Sequence, residues 1–172
     1  MLIIGASDAG ISAALRIREL APEAEITVVA KDAYPNFSIC GLPFYLSGEV
    51  ADWRDLAYRS AAEIARHGIH LLLNHEALAV DPKAKQVSAR TAGGNIRRIE
   101  YDKLLIASGA DSIKPPIKGL DSSGVFFCVG WQTALHPHHG WPLLRTAARG
   151  QDGRAPHFLN RISEQVHPNF KK

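Results

Sequence analysis

The chain has 172 residues, of which 46% are hydrophobic and 22% charged, and its formal net charge is +3. This length and composition predict one globular domain that can bury a core. The charge is mild and no basic stripe with interleaved aromatics occurs, which argues against nucleic-acid binding. The two cysteines, Cys40 and Cys128, lie far apart. They predict no disulfide framework and favour a reducing, cytoplasmic setting. The apolar start is too short for a signal peptide or a membrane span.

The first thirty residues predict a strand, a glycine-rich turn, a helix and a second strand. Residues 2–4 are an apolar run, 11–20 carry a broad apolar face at helical spacing that ends before Pro22, and 25–30 are rich in β-branched residues. This arrangement is typical of the βαβ unit that holds a pyrophosphate at a helix N-terminus.

The turn itself departs from the dinucleotide-binding fingerprint. Gly5 and Gly10 are in place, but the middle glycine is replaced by Ser7, which is small enough to permit a close approach of the backbone to phosphates. The acid expected at the end of the second strand for the ribose hydroxyls is missing at Ala30, or displaced past Lys31 to Asp32. A tight turn in an unrelated α/β fold is the alternative.

The segment Asn36-Phe37-Ser38-Ile39-Cys40-Gly41-Leu42-Pro43 places a cysteine where a loop is expected to turn into a short helix. The unpaired N–H groups and positive end of a helix lower the pKa of a nearby thiol and favour the reactive thiolate. The alternative is a buried free cysteine that acts as a small hydrophobe, which is the commoner fate of an isolated cysteine.

Farther along the chain, Ser60 is expected to cap a helix over 61–65, with Glu63 at the capping-box position and the end at His67-Gly68. The remaining expected elements are strands at 69–73, 75–80, 85–91, 96–100 and 104–107 and a linker at 114–121. The middle three strands predict an antiparallel meander that lies beside a parallel sheet.

Three separated features together resemble the pyridine nucleotide-disulfide oxidoreductases, in the single-cysteine branch of coenzyme A-disulfide reductases, NADH oxidases and persulfide or polysulfide reductases. They are the glycine-rich βαβ unit, the Ser38-x-Cys40-Gly41-Leu42-Pro43 segment, and the strand end Ala107-Ser108-Gly109 followed by Pro115-Pro116-Ile117-x-Gly119. The resemblance covers about Leu2 to Phe127. It implies an α/β fold: a Rossmann-like FAD-binding domain over 1–127 with a small antiparallel insert.

The resemblance implies that the glycine-rich turn holds the FAD pyrophosphate and that the backbone near Ala77 lies by the adenine. Asp8 stands where peroxidase members tend to carry a histidine, which argues against peroxide as a substrate. Ile39 stands where many members have asparagine. No metal site is expected. The residues expected to bind FAD are Gly5, Ser7, Asp8, Ala9, Gly10, Lys31, Asp32, Ser38, Ala77, Ala107, Ser108 and Gly109.

Cys40 is implied to be the catalytic residue, a flavin-side thiol that cycles between the thiolate and a sulfenic acid or mixed disulfide. A cysteine without a neighbour at CxxC or CxxxxC spacing must pair with an external thiol or be oxidised. The resemblance implies a small-molecule thiol or disulfide, or oxygen, as the acceptor. In such relatives NAD(P)H is the electron donor and the protein is a homodimer.

Residues 128–172 depart from the family pattern and are rich in His, Pro and Arg. Contiguous histidines are poor evidence for a metal site, and a disordered or loosely helical tail is expected. No second glycine fingerprint follows Gly109, so the chain is expected to be truncated by a frameshift or premature stop, without NAD(P)H and dimer domains. Three alternatives stay open: an oxidoreductase by descent, a non-catalytic FAD- or ADP-binding fragment, and an inert product of a broken gene.

Overall fold

A computed structural model describes residues 1–110, 113 and 115–120. The expected tail over 128–172, with Cys128, lies outside the described residues. Single turns of 3-10 helix occur at Ile39–Gly41 and Trp53–Leu56. The helices and strands are β1 (Leu2–Ile4), α1 (Asp8–Leu20), β2 (Ile26–Val29), α2 (Leu42–Ser47), α3 (Ala61–Arg66), β3 (Ile69–Leu72), β4 (His75–Asp81), β5 (Gln86–Thr91), β6 (Ile96–Glu100) and β7 (Leu104–Ile106).

A parallel sheet with strand order β3-β2-β1-β7 forms the centre of the fold. Ile3 of β1 is paired with Val28 of β2 on one side and with Leu105 of β7 on the other. These strands are near-continuous apolar runs because both faces of a parallel sheet are covered. The arrangement confirms the expected α/β class and its Rossmann-like βαβ start.

A second sheet, of strand order β4-β5-β6, is antiparallel. Val87 and Ala89 alternate along β5 and are fully buried, as expected for a sheet with one face towards the core. The turn after β4 is fixed by Asp81, whose Oδ1 accepts hydrogen bonds from the backbone N–H groups of Lys83 and Ala84, each at 2.9 Å. This sheet confirms the predicted antiparallel insert.

Two clusters of buried side chains cover the two faces of the parallel sheet. One packs Ile11 and Ala14 of α1 and Ile64 of α3 against the strands. The other packs Leu2 and neighbouring strand residues against Val87 of the antiparallel sheet. Full burial of a large aliphatic side chain contributes about 1.5–3 kcal/mol, so the two clusters hold the strand ends in fixed positions.

The helix boundaries follow caps more closely than apolar spacing. The capping box at Ser60 and Glu63 is present, and Gly68 has a φ of +70°, so the prediction for α3 is confirmed. The prediction for α1 was wrong by three residues, because the helix begins at Asp8 with Ser7 as its N-cap. The first turn is exposed at Asp8 and Ala9 and therefore lacks the apolar periodicity used to place the start.

Candidate functional site

The glycine-rich turn lies at the carboxyl end of β1, where ligands bind in open α/β sheets. Gly5 has a φ of +108°, and its N–H donates to the carbonyl of Val29 at 2.8 Å. A β-carbon on Gly10 would lie 1.9 Å from the carbonyl oxygen of Gly5. Helix α1 therefore starts directly against the turn, with no side chain between them.

The first turn of α1 presents the groups that suit a phosphate. Ser7 is the N-cap in extended conformation, and its side chain makes no capping hydrogen bond. The N–H groups at the start of a helix of 13 residues have no intrahelical partner and point towards an anion. These features fit a dinucleotide pyrophosphate even though the middle glycine of the fingerprint is absent.

The end of β7 closes the same turn from the other side. The N–H of Ala107 donates to the carbonyl of Ile4 at 2.7 Å. A β-carbon on Gly5 would lie 2.0 Å from the carbonyl oxygen of Ala107 and 3.2 Å from the nitrogen of Ser108. Two of the three expected strand-end residues thus contact the turn. The third, Gly109, is exposed, with a φ of +76° and no atom near its β-carbon position.

Asn36 joins the glycine-rich turn to the loop that carries Cys40. Its N–H donates to the carbonyl of Ala6 at 2.6 Å, and its Nδ2 donates to Oδ1 of Asp8 at 2.9 Å. Its own carbonyl accepts from the N–H of Tyr58 at 3.1 Å. The residue is 3% exposed, and its Oδ1 has no hydrogen-bond partner in the described part of the chain. Asp8 is thereby held against the cysteine loop.

Asn36 was not among the predicted site residues. Two signals were present: the Pro35-Asn36 dipeptide marks a turn, and asparagine tolerates the left-handed conformation that this residue adopts, with a φ of 55°. Neither signal reveals that its amide reaches Asp8, which lies 28 residues earlier in the chain.

Cys40 lies in the 3-10 turn immediately before α2 and is an exposed free thiol. The alternative of a buried hydrophobic cysteine is therefore wrong. The loop is anchored below the thiol by a buried cluster of Phe37, Leu42 and Leu56. Beside it opens a cleft of about 350 Å³, whose lining includes Ser38, Cys40, Phe44, Asp55, Leu56 and Tyr58. A small molecule can reach the sulfur through this cleft.

A charged group lies near the carboxyl end of β2. Lys31 Nζ contacts Oε1 of Glu76 at 3.0 Å, and the guanidinium of Arg90 contacts Oε2 at 3.4 Å. The hydrogen bond from Lys31, its positive charge and that of Arg90 lower the pKa of Glu76. Ala77, the predicted adenine neighbour, follows Glu76 and pairs with Ala89. Lys31 is among the residues predicted to bind FAD, and Glu76 is not.

Asp32 and Ser38 take their places through backbone contacts. The carbonyl of Asp32 accepts from the N–H of Asn74 at 3.2 Å, and the N–H of Ser38 donates to the carbonyl of Leu56 at 2.8 Å.

Among the residues that the structure describes, no group of three or more His, Cys, Asp or Glu side chains is arranged to hold a metal ion. In the same residues, no helix has the length and apolarity needed to cross a membrane.

Curated proteins similar to this chain are redox enzymes. An NADH oxidase of Enterococcus faecalis is 31% identical over 135 residues, covering 78% of this chain and 30% of that protein. An NAD(P)H coenzyme A polysulfide/persulfide reductase of Pyrococcus horikoshii is 34% identical over 126 residues, covering 73% of this chain and 28% of that protein. The chain thus spans about 30% of the length of these relatives.

Solved structures give the same likeness. The water-forming NADH oxidase of Lactobacillus brevis is 34% identical with a TM-score of 0.71, covering 85% of this chain and 31% of that one. The family model described as pyridine nucleotide-disulphide oxidoreductase matches residues 1–146. The chain belongs to the pyridine nucleotide-disulphide oxidoreductase family.

Proposed function

We propose that residues 1–127 are the FAD-binding part of an NADH oxidase or coenzyme A-disulfide reductase type of enzyme, with Cys40 as its redox thiol. The observation that carries the proposal is the double attachment of the glycine-rich turn. Ala107 closes the turn on one side, and Asn36 ties it to the loop of Cys40 on the other. Three segments distant in sequence are thereby joined around one candidate cofactor site.

The residues of the turn bind and orient the cofactor. The N–H groups at the start of α1 and the hydroxyl of Ser7 donate to the pyrophosphate. Gly5 and Gly10 keep the backbone free of side chains there, because a β-carbon at either position would meet backbone atoms. When bound, the flavin would supply two-electron chemistry, taking electrons from NAD(P)H and passing them to a disulfide acceptor.

Cys40 contributes the exchange step. Its thiolate attacks one sulfur of an external disulfide, a new S–S bond forms, and the second half of the disulfide leaves as a thiolate. The exposure of Cys40 beside the cleft supports this role. Reduction of the resulting mixed disulfide needs two electrons and releases the second thiol, which regenerates Cys40.

The cofactor proposal is tested with a charge placed at the N-cap. Aspartate caps a helix about as well as serine does, so Ser7→Asp preserves the fold while it repels a pyrophosphate. We expect FAD, titrated by fluorescence quenching, to bind Ser7→Asp at least roughly tenfold more weakly than wild type, since ~1.4 kcal/mol corresponds to that factor. The matched control Ser60→Asp, at the N-cap of α3, leaves FAD affinity unchanged. Equal FAD affinity in Ser7→Asp and wild type would refute the site.

The thiol proposal is tested with coenzyme A disulfide. The reduced chain is expected to gain the mass of one coenzyme A at Cys40 and to release one equivalent of coenzyme A thiol. Cys40→Ser loses both signals, and the control Cys128→Ser keeps them. Coenzyme A attached only to Cys128 would remove Cys40 from the mechanism. Bleaching of bound flavin by NADH then decides whether this chain also accepts electrons from NADH.

A further inference from the structure

The adenosine end of the candidate site lacks the residue that a Rossmann-like fold ordinarily uses there. An acid at the end of the second strand accepts hydrogen bonds from the ribose hydroxyls. In this chain that position is Ala30, which is 6% exposed. Its N–H donates to the carbonyl of Leu72 and its carbonyl accepts from the N–H of His75, at 3.0 and 2.8 Å. The backbone at the end of β2 is therefore hydrogen-bonded to the segment from Leu72 to His75, and no acidic side chain is available at this position.

Glu76 lies beside this strand end through its neighbour in the chain. Because His75 is bound to Ala30 by its backbone, the next residue of β4 enters the space at the end of β2. The contact of 3.0 Å between Lys31 Nζ and Oε1 of Glu76 fixes this placement. The Glu76 side chain is 35% exposed, so a ligand can still reach it.

The two cations hold the carboxylate without saturating it. Lys31 contacts Oε1 and Arg90, directly across the strand pair, contacts Oε2. Each carboxylate oxygen accepts more than one hydrogen bond, so each keeps capacity for a hydroxyl donor. The Glu76 carboxylate is ionised at neutral pH, and the hydrogen bond from Lys31 lowers its pKa further. The two oxygens of the Glu76 carboxylate can therefore accept hydrogen bonds from the two adjacent hydroxyls of a ribose.

We propose that Glu76, supplied by β4 and oriented by Lys31 and Arg90, binds the ribose 2′- and 3′-hydroxyls of the adenosine moiety in place of an acid at the end of β2. The inference rests on the proposed dinucleotide site and specifies its ligand as a ribonucleotide without a 2′-phosphate. It differs from the sequence-based expectation, which assigned the displaced acid to Asp32.

The test measures binding of ADP and 2′-deoxy-ADP to the full chain by isothermal titration calorimetry. A hydrogen bond to a charged group changes affinity roughly tenfold or more. We expect wild type to bind ADP about tenfold more tightly than 2′-deoxy-ADP. Glu76→Gln is expected to lose this preference, mainly through weaker ADP binding. The control Glu100→Gln, which removes an acid at the far end of the same sheet, is expected to retain it.

Three outcomes would overturn the inference while leaving the proposed function in place. The first is equal affinity of wild type for ADP and 2′-deoxy-ADP, and the second is a preference for ADP that is lost in Asp32→Asn but kept in Glu76→Gln. The third is tighter binding of adenosine 2′,5′-bisphosphate than of ADP. Tighter binding of the bisphosphate would mean that Lys31 and Arg90 bind a 2′-phosphate. If wild type binds neither FAD nor ADP, the inference and the proposed function are both overturned. Circular dichroism of each variant shows whether it is folded.

Discussion

Substitution of Asn36 tests what stabilises the loop that carries Cys40. Glycine and alanine both remove the side-chain amide, but they differ in how well they tolerate the left-handed backbone. The hydrogen bond to the Asp8 carboxylate contributes roughly 1.5–3 kcal/mol. The buried, unpartnered Oδ1 costs roughly 1–3 kcal/mol in lost hydration. These contributions nearly cancel, so the left-handed backbone, with a φ of 55°, is expected to dominate the effect of substitution.

We expect Asn36→Gly to lower the free energy of unfolding by about 1 kcal/mol or less, mainly through the entropy of the unfolded chain. Asn36→Ala keeps a β-carbon in the left-handed region, which costs about 1–2 kcal/mol. Alanine recovers about 0.4–1 kcal/mol of unfolded-state entropy relative to glycine. Asn36→Ala should therefore be less stable than Asn36→Gly by about 0.5–1 kcal/mol.

The assay is urea unfolding followed by far-UV circular dichroism. With a slope of about 1–3 kcal/mol per molar urea, the alanine variant should unfold at a midpoint lower than the glycine variant by about half a molar. Asn74 provides a matched control, since it also has a φ of 55° but is exposed. Equal midpoints for the pair at 36, with the expected gap at 74, would refute the backbone argument. A loss of several kcal/mol in Asn36→Gly would refute the cancellation.

Three further outcomes are expected. Gly10→Ala should lower the urea midpoint and abolish FAD binding, because its β-carbon would meet a backbone oxygen at 1.9 Å, whereas Gly93→Ala, with no such atom closer than 3.9 Å, should match wild type. The hydrogen bond from the Ser60 backbone lowers the pKa of Glu63; the stability advantage of wild type over Glu63→Gln should therefore be present above about pH 4.5 and fade as the pH falls through that lowered pKa. Iodoacetamide should alkylate exposed Cys40 in the native protein without denaturant, and protection until unfolding would contradict its position in the structure.

Local signals explain which parts of the fold could be predicted from the sequence. The capping box at Ser60 and Glu63 and the strand β5 are encoded within a few residues and were predicted correctly. The start of α1 was misplaced because its exposed first turn carries a cap but no apolar periodicity. Periodicity reports the buried face of an element and not its full length.

Most residues predicted for the candidate site belong to short motifs, and the contacts between distant segments were not predicted. Asn36 is hydrogen-bonded to Asp8, which is 28 residues away, and Glu76 contacts Lys31 and Arg90, the latter on the paired strand. Neither pairing has a signature in the local sequence, since each depends on how strands and loops meet. Cys40 was identified from its segment, but its exposure beside a cleft is set by the packing of Phe37, Leu42 and Leu56 beneath it.

The close packing of Gly5 against Ala107 has a consequence for the order of folding. The glycine-rich turn is made near the start of the chain, yet the strand that closes it arrives roughly a hundred residues later. Contacts of such long sequence separation form late, because loop closure costs entropy before the contact stabilises anything. During synthesis on the ribosome, α1 and β2 can therefore assemble before β7 and Ala107 are available to pack against the glycine-rich turn. The proposed nucleotide site is then complete only when β7 pairs with β1.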